Sequence, residues 1–517
     1  MRKESFMAIH TFAAIYIGSY EVSLKIFELA SRRKLRGVDY VRRRIELGKD
    51  AYGKGSIGYE LVATLCATLG EFTKIMEEYR VDAYEAYAGA VLRDAGNELF
   101  ILDQIKLRTG LTVHVLSNSE HRFVSYKSVA MREEFEEMIK TSAAVVDVGG
   151  AGLQITLFSK GKILTTQHLG IGAMRMRQQL AKKSVSLAQY EQQIEEMVVK
   201  ELAVFQSMYL KDTQIQYLII IGDYMTELVQ RGEKKHGEKV EDMKRFLQYL
   251  EKLGKKGLEE IADELGLINE NDGLIIPYLM ICKCMVKRLK ADTLWAPGAL
   301  VSDGIACDYA ERNKIYKPIH NFEEDILSAA RSLSERYRSY SPHIDALTEM
   351  STLLFDSIKR EHGLGKRERL LLRVAAILHD CGKYISFLNA PQCTYDIIMA
   401  SEIMGLSHLE REIVASIVLY NTYPLPAYGE LADRLDEQSY LTVAKLSAIL
   451  RVSNAMDRSH RQKFKNVRAQ LKERELLITI ETEEDIALEK TLFAAKTAYF
   501  ESIFGIKPVI KEKRVSY

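Results

Sequence analysis

The 517-residue chain is poor in several residue types, and each shortage excludes a class of protein. It contains only 8 prolines and a single tryptophan, which excludes collagen-like and proline-rich architectures. Its six cysteines are scattered, and the nearest two, Cys282 and Cys284, have a C-x-C spacing with no second pair at zinc-ribbon distance. We therefore expect a reducing compartment, the cytoplasm.

The chain also has almost no net charge and no long apolar run. Its 72 Lys and Arg residues against 71 Asp and Glu residues leave a formal charge of +1, which signals neither a nucleic-acid partner nor a membrane partner. No stretch approaches about 18 uninterrupted apolar residues, and the N-terminus lacks a small-residue cleavage site. We expect a soluble protein without a membrane span or signal peptide.

Two different patterns divide the chain. Up to about residue 315, short apolar runs with glycine turns alternate with helical patterns, which predicts two α/β lobes. Residues 323–450 read as helix after helix without strand alternation, and the tail returns to strand, helix and strand. The predicted regions are a first lobe (1–135), a second lobe (136–314), an all-α domain (315–464) and a small α+β unit (465–517).

Each predicted lobe contains a strand–turn–strand unit rich in glycine. Gly18 and Ser19 occupy the first turn, and Gly149 and Gly150 occupy the second. Glycine turns expose backbone N–H groups with little side-chain obstruction and can cradle a phosphate. Two such turns facing each other across a cleft would clamp a phosphate chain.

Five segments, in order along the chain, resemble motifs of the exopolyphosphatase/guanosine pentaphosphate phosphohydrolase (Ppx/GppA) family. They are AGAVLRDAGN (88–97), LSNSE (116–120), VVDVGGAGLQ (145–154), GAMR (172–175) and PGALVSDGI (297–305). The resemblance covers nearly the whole chain. It implies a two-lobed actin-like (ribonuclease-H-like) ATPase fold, followed by an all-α HD-type domain and a small α+β C-terminal unit.

The resemblance also implies an activity, namely hydrolysis of the terminal phosphoanhydride of inorganic polyphosphate or guanosine pentaphosphate. It implies Mg or Mn in the cleft, a cytoplasmic homodimer, and Glu120 as the carboxylate that activates water. The phosphate-binding residues that it implies are Gly18, Ser19, Arg93, Asp147, Gly149, Gly150 and Arg175.

Several departures from the family pattern predict weak or lost turnover. Tyr16 stands where the family has an aspartate, and Tyr20 and Glu21 replace small polar residues of the first turn. Gln154 replaces a glutamate, and an amide cannot act as a general base. Glu21 would repel an approaching phosphate. The alternative hypothesis is a catalytically degenerate homologue that binds a phosphate-rich ligand and regulates.

A second candidate site lies in the helical region. His379 and Asp380 are adjacent at the end of an apolar helix, which resembles the HD superfamily, and His343 and Asp457 complete the order H…HD…D. Imidazole and carboxylate ligands suit zinc, manganese, iron or magnesium. The resemblance therefore implies one divalent metal bound by these four residues.

Two interpretations of this helical region stay open from the sequence. It is either an HD-type metal phosphohydrolase, with the two lobes as a sensor, or a module that only supports a dimer. Among the neighbouring residues, we expect Lys383 to point into solvent, and His408 and His460 to be surface or capping residues.

Overall fold

The computed structural model describes residues 10–30, 35–181, 187–210, 214–232, 239–265 and 274–514. The chain divides into two compact units, Met1–Asn321 and Phe322–Tyr517. The first lobe of the first unit consists of β1 (His10–Ile17), β2 (Glu21–Leu29), β3 (Arg36–Arg44), α1 (Leu47–Lys54), α2 (Tyr59–Glu78), β4 (Ala83–Ala88), α3 (Ala90–Arg93), α4 (Glu98–Thr109), β5 (Val113–Val115), α5 (Asn118–Ala130) and α6 (Glu133–Ile139).

The first lobe is built on a five-stranded sheet in the order β3-β2-β1-β4-β5. The strands β1 and β2 form the predicted hairpin around Gly18, with Ile17 opposite Val22. Helix α2 covers one face of the sheet because its apolar residues recur every three or four positions, and Leu65, Leu69 and Phe72 are fully buried. The hairpin turn therefore projects from the end of a rigid sheet.

The second lobe has a six-stranded sheet in the order β10-β11-β9-β6-β7-β8. Its elements are β6 (Ser142–Val148), β7 (Leu153–Ser159), β8 (Lys162–Leu169), α7 (Ala173–Ala181), α8 (Leu187–Tyr209), β9 (Tyr217–Ile221), α9 (Asp223–Gly232), β10 (Lys239–Val240), α10 (Met243–Leu253), α11 (Leu258–Leu265), α12 (Ile275–Leu289) and β11 (Thr293–Trp295). The next helix, α13 (Val301–Arg312), packs instead on α5 and β1 of the first lobe. The second glycine turn joins β6 and β7, which pair antiparallel with Asp147 opposite Gln154.

The second unit begins with helices and ends with a small sheet. Its elements are α14 (Phe322–Arg336), α15 (Ser341–Ser357), α16 (Lys359–His362), α17 (Lys366–Leu378), α18 (Ala390–Ala400), α19 (His408–Thr422), α20 (Tyr428–Leu431), α21 (Glu437–Met456), β12 (Lys465–Lys472), β13 (Glu475–Thr482), α22 (Ala487–Phe504) and β14 (Lys507–Arg514). Helix α22 crosses over between the parallel strands β13 and β14, as a parallel connection requires.

The predicted fold class is confirmed: two α/β lobes precede an all-helical region and a three-stranded sheet with one helix. Every residue from 322 to 464 is described, and none of them lies in a strand. No helix in the described ranges is long and apolar enough to cross a membrane. The exact domain boundaries at 135, 314 and 464 stay predictions.

Helices α5 and α13 of the first unit meet at a glycine. A Cβ atom on Gly304 would lie 1.8 Å from the carbonyl oxygen of Val124, so the two backbones can approach only without that side chain. We predict that Gly304→Ala lowers the free energy of unfolding by about 2 kcal/mol or more, because the helices must separate. Urea unfolding followed by fluorescence of Trp295, the single tryptophan, measures it.

The matched control is Gly70→Ala in α2, where a Cβ atom has no neighbour within 4 Å. Gly70→Ala should raise the free energy of unfolding by about 0.5–1 kcal/mol, because alanine has less backbone freedom to lose. Equal stabilities of the Gly304→Ala protein and the original protein would contradict the close helix contact.

Candidate functional site

The two glycine turns of the first unit lie against each other. A Cβ atom on Gly150 would be 3.0 Å from the Cβ atom of Ser19. Each turn also uses its own backbone donor: the Gly18 N–H donates to the Glu21 carbonyl at 2.9 Å, and the Gly149 N–H donates to the Gly152 carbonyl at 3.0 Å. The predicted meeting of the turns is present, but these two N–H groups are already engaged.

Tyr20, at the tip of the first turn, anchors one lobe in the other. Its side chain is 8% exposed and belongs to the hydrophobic core of the second lobe. Its ring meets Tyr224 edge-on at 6.0 Å, and Tyr224 stacks on Tyr278 at 4.5 Å. A small polar residue at this position could not make these contacts, so Tyr20 holds the two lobes together through packing.

An ionic contact also joins the lobes. Arg177 of α7 donates to the Glu46 carboxylate at 2.6 Å, and Arg44 donates to the other oxygen of the same carboxylate at 2.6 Å. Although burial acts to raise the pKa of Glu46, these two hydrogen bonds hold that pKa below its usual value. Glu46 is therefore ionised at neutral pH and contributes to closure.

A chain of hydrogen bonds fills the space beside the turns. The Arg122 Nε–H donates to Gln154 Oε1 at 3.2 Å, and Gln154 Nε2 lies 3.0 Å from His121 Nδ1. His121 Nε2 lies 2.7 Å from the Tyr16 hydroxyl. Since a guanidinium only donates, the amide oxygen faces Arg122 and the amide nitrogen donates to His121 Nδ1. The His121 proton then sits on Nε2 and points at Tyr16.

The pKa shifts of His121 and Tyr16 both favour the neutral form of the ring. Burial lowers the pKa of His121, although the nearby Asp147 carboxylate opposes the shift. Burial also raises the pKa of Tyr16 far above its usual value, and the negative charge of Asp147 adds to the rise. Both side chains are therefore neutral, and the chain of hydrogen bonds holds a fixed pattern of protons.

Asp147 lies beside this chain of hydrogen bonds, and one of its two carboxylate oxygens receives no hydrogen bond from the described residues. Its Oδ2 atom is buried and has no hydrogen-bond partner among the described residues, and it lies 3.8 Å from His121 Nδ1. Arg122, Asp147 and Gln154 line a cavity of about 10 Å³. That volume holds about one water molecule and excludes a phosphoryl group.

The cleft residues do not fit a resident magnesium or manganese ion. Such ions prefer several oxygen ligands around an octahedron. Asp147 offers a carboxylate, but Tyr16 stands in place of the family's aspartate. Glu120 Oε2 accepts from the backbone N–H and the hydroxyl of Ser117 at 2.9 and 2.6 Å, in a capping box that begins α5. The donor set is too small for a dedicated metal site.

The two arginines predicted to bind phosphate both lie near one carboxylate. Arg93 donates to the Leu116 carbonyl and to Asn118 Oδ1, each at 2.6 Å, and so fixes the connection that carries Glu120. Arg175 Nη2 donates to Asp94 Oδ2 at 2.5 Å. The Nε atom of Arg93 lies 3.7 Å from Asp94 Oδ1.

In the second unit, three of the four predicted metal ligands converge. One atom each from His343, His379 and Asp380 lies within 4.8 Å of the others, and all three residues are buried. The two Nε2 atoms are 3.2 Å apart, and His379 Nε2 is 3.2 Å from Asp380 Oδ1. Ligand atoms around a tetrahedral zinc ion are about 3.3 Å apart, given zinc–nitrogen distances of about 2.0–2.1 Å.

The far nitrogen of each imidazole is held by an acceptor. Asp457 Oδ2 lies 2.8 Å from His343 Nδ1, and the Ala376 carbonyl lies 2.8 Å from His379 Nδ1. Each acceptor places the proton on Nδ1, so the two Nε2 lone pairs face one another, and a cation between them would relieve their repulsion. Burial lowers the pKa of His379 to about 4, so its imidazole is neutral. The donor set fits a divalent metal.

Asp457, predicted as a fourth ligand, lies behind His343 and also accepts from the backbone and side chain of Gln462 at 2.8 and 3.0 Å. Two expectations for the neighbouring residues are wrong. Lys383 does not point away into solvent, because its Nζ atom donates to Asp380 Oδ2 at 2.6 Å. His460 is not a simple surface residue, because its ring stacks on His343 with centroids 3.7 Å apart.

Some functional contacts were missed in the sequence, although two of them had a signal. Ser117 and Glu120 follow the S-x-x-E pattern of a capping box. Asp94 directly follows Arg93 in a family motif. Arg122 carried no signal, because its partner Gln154 comes from the other lobe.

Comparisons with known proteins agree with these motifs. The model of the Ppx/GppA phosphatase family matches residues 30–312, and the model of Ppx/GppA phosphatase domain III matches residues 327–498. A guanosine-5'-triphosphate,3'-diphosphate pyrophosphatase of Aeromonas hydrophila is 20% identical over 456 residues, which is 86% of each chain.

Two solved structures share the fold of the lobes. An exopolyphosphatase from Cytophaga hutchinsonii is 16% identical, with a TM-score of 0.52, and the match covers 60% of this chain and all of that one. An exopolyphosphatase-like protein is 18% identical, with a TM-score of 0.50, and covers 59% of this chain and 99% of its own. At these identities the likeness supports the fold alone.

We predict that the His343, His379 and Asp380 cluster binds one divalent metal per chain. His379→Ala should abolish the bound metal, because it removes the central ligand of three. His408→Ala is the matched control, since His408 begins α19 on the exposed surface. Elemental analysis of protein purified without chelator measures both. Metal content that is equal in the two variants would contradict the site.

Proposed function

Because the chain belongs to the Ppx/GppA phosphatase family, we propose that it acts on linear phosphoanhydrides and releases their terminal phosphate slowly. The substrate class is inorganic polyphosphate or guanosine pentaphosphate. Two proteins to which the chain is similar, an exopolyphosphatase and a guanosine-5'-triphosphate,3'-diphosphate pyrophosphatase, support this class by their names.

One observation carries the proposal of slow turnover: the chain of hydrogen bonds from Arg122 through Gln154 and His121 to Tyr16. None of these groups accepts a proton from water at neutral pH, since the amide has no basic site and His121 Nδ1 already accepts from Gln154. A phosphoryl group that entered the cavity lined by Arg122, Asp147 and Gln154 would have to displace part of this chain. Both effects raise the barrier to hydrolysis.

Glu120 is the carboxylate best placed to orient the attacking water. It sits in the first turn of α5, and only its Oε2 atom is bound by Ser117. Water would attack the terminal phosphorus, Glu120 would accept the proton, and the shortened phosphoanhydride would leave. Loss of one positioned electrostatic group costs about 10²–10³ in rate, so the changes at positions 16 and 154 together predict a large deficit.

If turnover is absent altogether, the same cleft is a binding module. The protein is then a regulatory homologue that retains the family's ligand without hydrolysing it. The observation that separates the two functions is phosphate release itself, since binding alone is common to both.

A second candidate function rests on the helical unit. The buried imidazole and carboxylate set of His343, His379 and Asp380 favours a metal-dependent phosphohydrolase centre. A bound divalent metal would supply Lewis-acid polarisation of a phosphoryl oxygen. Lys383, which holds Asp380, and His460, which packs on His343, would orient the ligand residues.

Phosphate release from long-chain polyphosphate, guanosine pentaphosphate and ATP, with Mg²⁺ or Mn²⁺, decides between these functions. We predict a rate well below the ordinary range of about 1–10³ s⁻¹, lost in Glu120→Ala and unchanged in His379→Ala. The double variant Tyr16→Asp and Gln154→Glu should raise the rate, because it restores two carboxylates.

The reverse pattern, with release lost in His379→Ala and kept in Glu120→Ala, would assign turnover to the helical unit instead. Ordinary rates in the unmodified protein that depend on Glu120 would show that the filled cleft opens readily, and the proposal of slow turnover would be wrong.

A further inference from the structure

The carboxylate of Asp94 lies between Arg93 and Arg175, the two arginines that the sequence predicts to bind phosphate. Its Oδ2 atom accepts from Arg175 Nη2 at 2.5 Å, and its Oδ1 atom lies 3.7 Å from Arg93 Nε. Each carboxylate oxygen thus faces a different guanidinium. The three side chains are 28–30% exposed, so solvent and a soluble anion can reach them.

Arg175 is fixed in place for a ligand that is larger than one carboxylate. Its guanidinium lies 5.2 Å above the ring of Tyr52, and the Tyr52 hydroxyl lies 2.6 Å from the Ser19 hydroxyl in the first glycine turn. The Nε atom of Arg175 is buried and has no hydrogen-bond partner among the described residues. An anchored guanidinium on a partly exposed side chain suits a ligand with several acceptor oxygens.

We propose that Asp94 occupies the position of a phosphoryl group between Arg93 and Arg175 and competes with the ligand of the cleft. The ligand class is the phosphoryl end of a linear phosphoanhydride, whose oxygens accept from guanidinium groups as a carboxylate does. The inference rests on the proposed substrate class. It assigns Asp94, a residue of the chain itself, as an internal competitor that lowers affinity.

A simpler role for Asp94 is to hold the two lobes together, and a second ion pair between the lobes provides a control. Asp94 belongs to the first lobe and Arg175 to the second, so their contact also joins the lobes. Glu46 and Arg177 make a comparable contact at 2.6 Å. If Asp94 only holds the lobes together, removal of either carboxylate should have the same effect on ligand binding.

Isothermal titration with inorganic tripolyphosphate, without divalent metal and at one fixed salt concentration, tests the proposal. Asp94→Asn should bind about tenfold more tightly than the original protein, because the negative charge that faces Arg175 Nη2 and Arg93 Nε no longer competes with the ligand. Glu46→Gln removes the same charge elsewhere and should change the affinity by less than about twofold. Adding Arg175→Gln to Asp94→Asn should remove the gain.

An equal gain in Asp94→Asn and Glu46→Gln would overturn the proposal, since it would show a general effect of charge or lobe contact. No gain in a folded Asp94→Asn protein would overturn it too. Asp94→Ser serves as a second variant if the first does not fold, as judged by Trp295 fluorescence.

The binding experiment tests the role of Asp94 separately from the proposal of slow hydrolysis. Tighter binding by Asp94→Asn without phosphate release would support the internal competitor and contradict slow hydrolysis. Phosphate release by the unmodified protein, with no gain in Asp94→Asn, would do the opposite.

Discussion

The first unit depends on one series of hydrogen bonds, from Arg122 through Gln154 and His121 to Tyr16, in which buried polar groups serve as one another's partners. A buried donor or acceptor without a partner costs about 1–3 kcal/mol. Tyr16 needs a partner inside the lobe and has His121, which in turn needs Gln154, whose oxygen accepts from Arg122. Changing Tyr16 or Gln154 alone to the family's carboxylate would leave a neighbouring group of the chain unpaired. These substitutions therefore act together and keep the space beside the turns occupied.

The polar residues of the two candidate sites differ in whether the protein itself supplies their partners. In the first unit, side chains of the protein itself occupy the space beside the glycine turns, and Tyr20 packs into the hydrophobic core of the second lobe. In the second unit, His343 and His379 turn two lone pairs toward one point, with their far nitrogens held by acceptors. The first arrangement closes a site against a ligand, whereas the second leaves donors that a cation would satisfy.

Much of the fold and part of the site follow from local sequence. The hairpins around Gly18 and Gly149 and the helices after residue 322 have the expected periodicities, and Tyr16 and Gln154 already predict weak chemistry. Contacts with distant partners do not follow from a local pattern. Tyr20 packs on Tyr224, more than two hundred positions away, and the stacking of His460 on His343 depends on how two chain segments meet. These are consequences of tertiary packing, which no spacing in the sequence encodes.

The proton positions on His121 test the account most directly. Long-range ¹H–¹⁵N spectra of histidine-labelled protein, with His121→Asn used to assign the signals, report the tautomer and charge of this ring. We predict a neutral imidazole protonated at Nε2 from about pH 7 to 8, because burial lowers the pKa of His121 below its usual value and Gln154 donates to Nδ1. A charged ring, or a proton on Nδ1, in that range would contradict the hydrogen-bonded chain and the filled cleft.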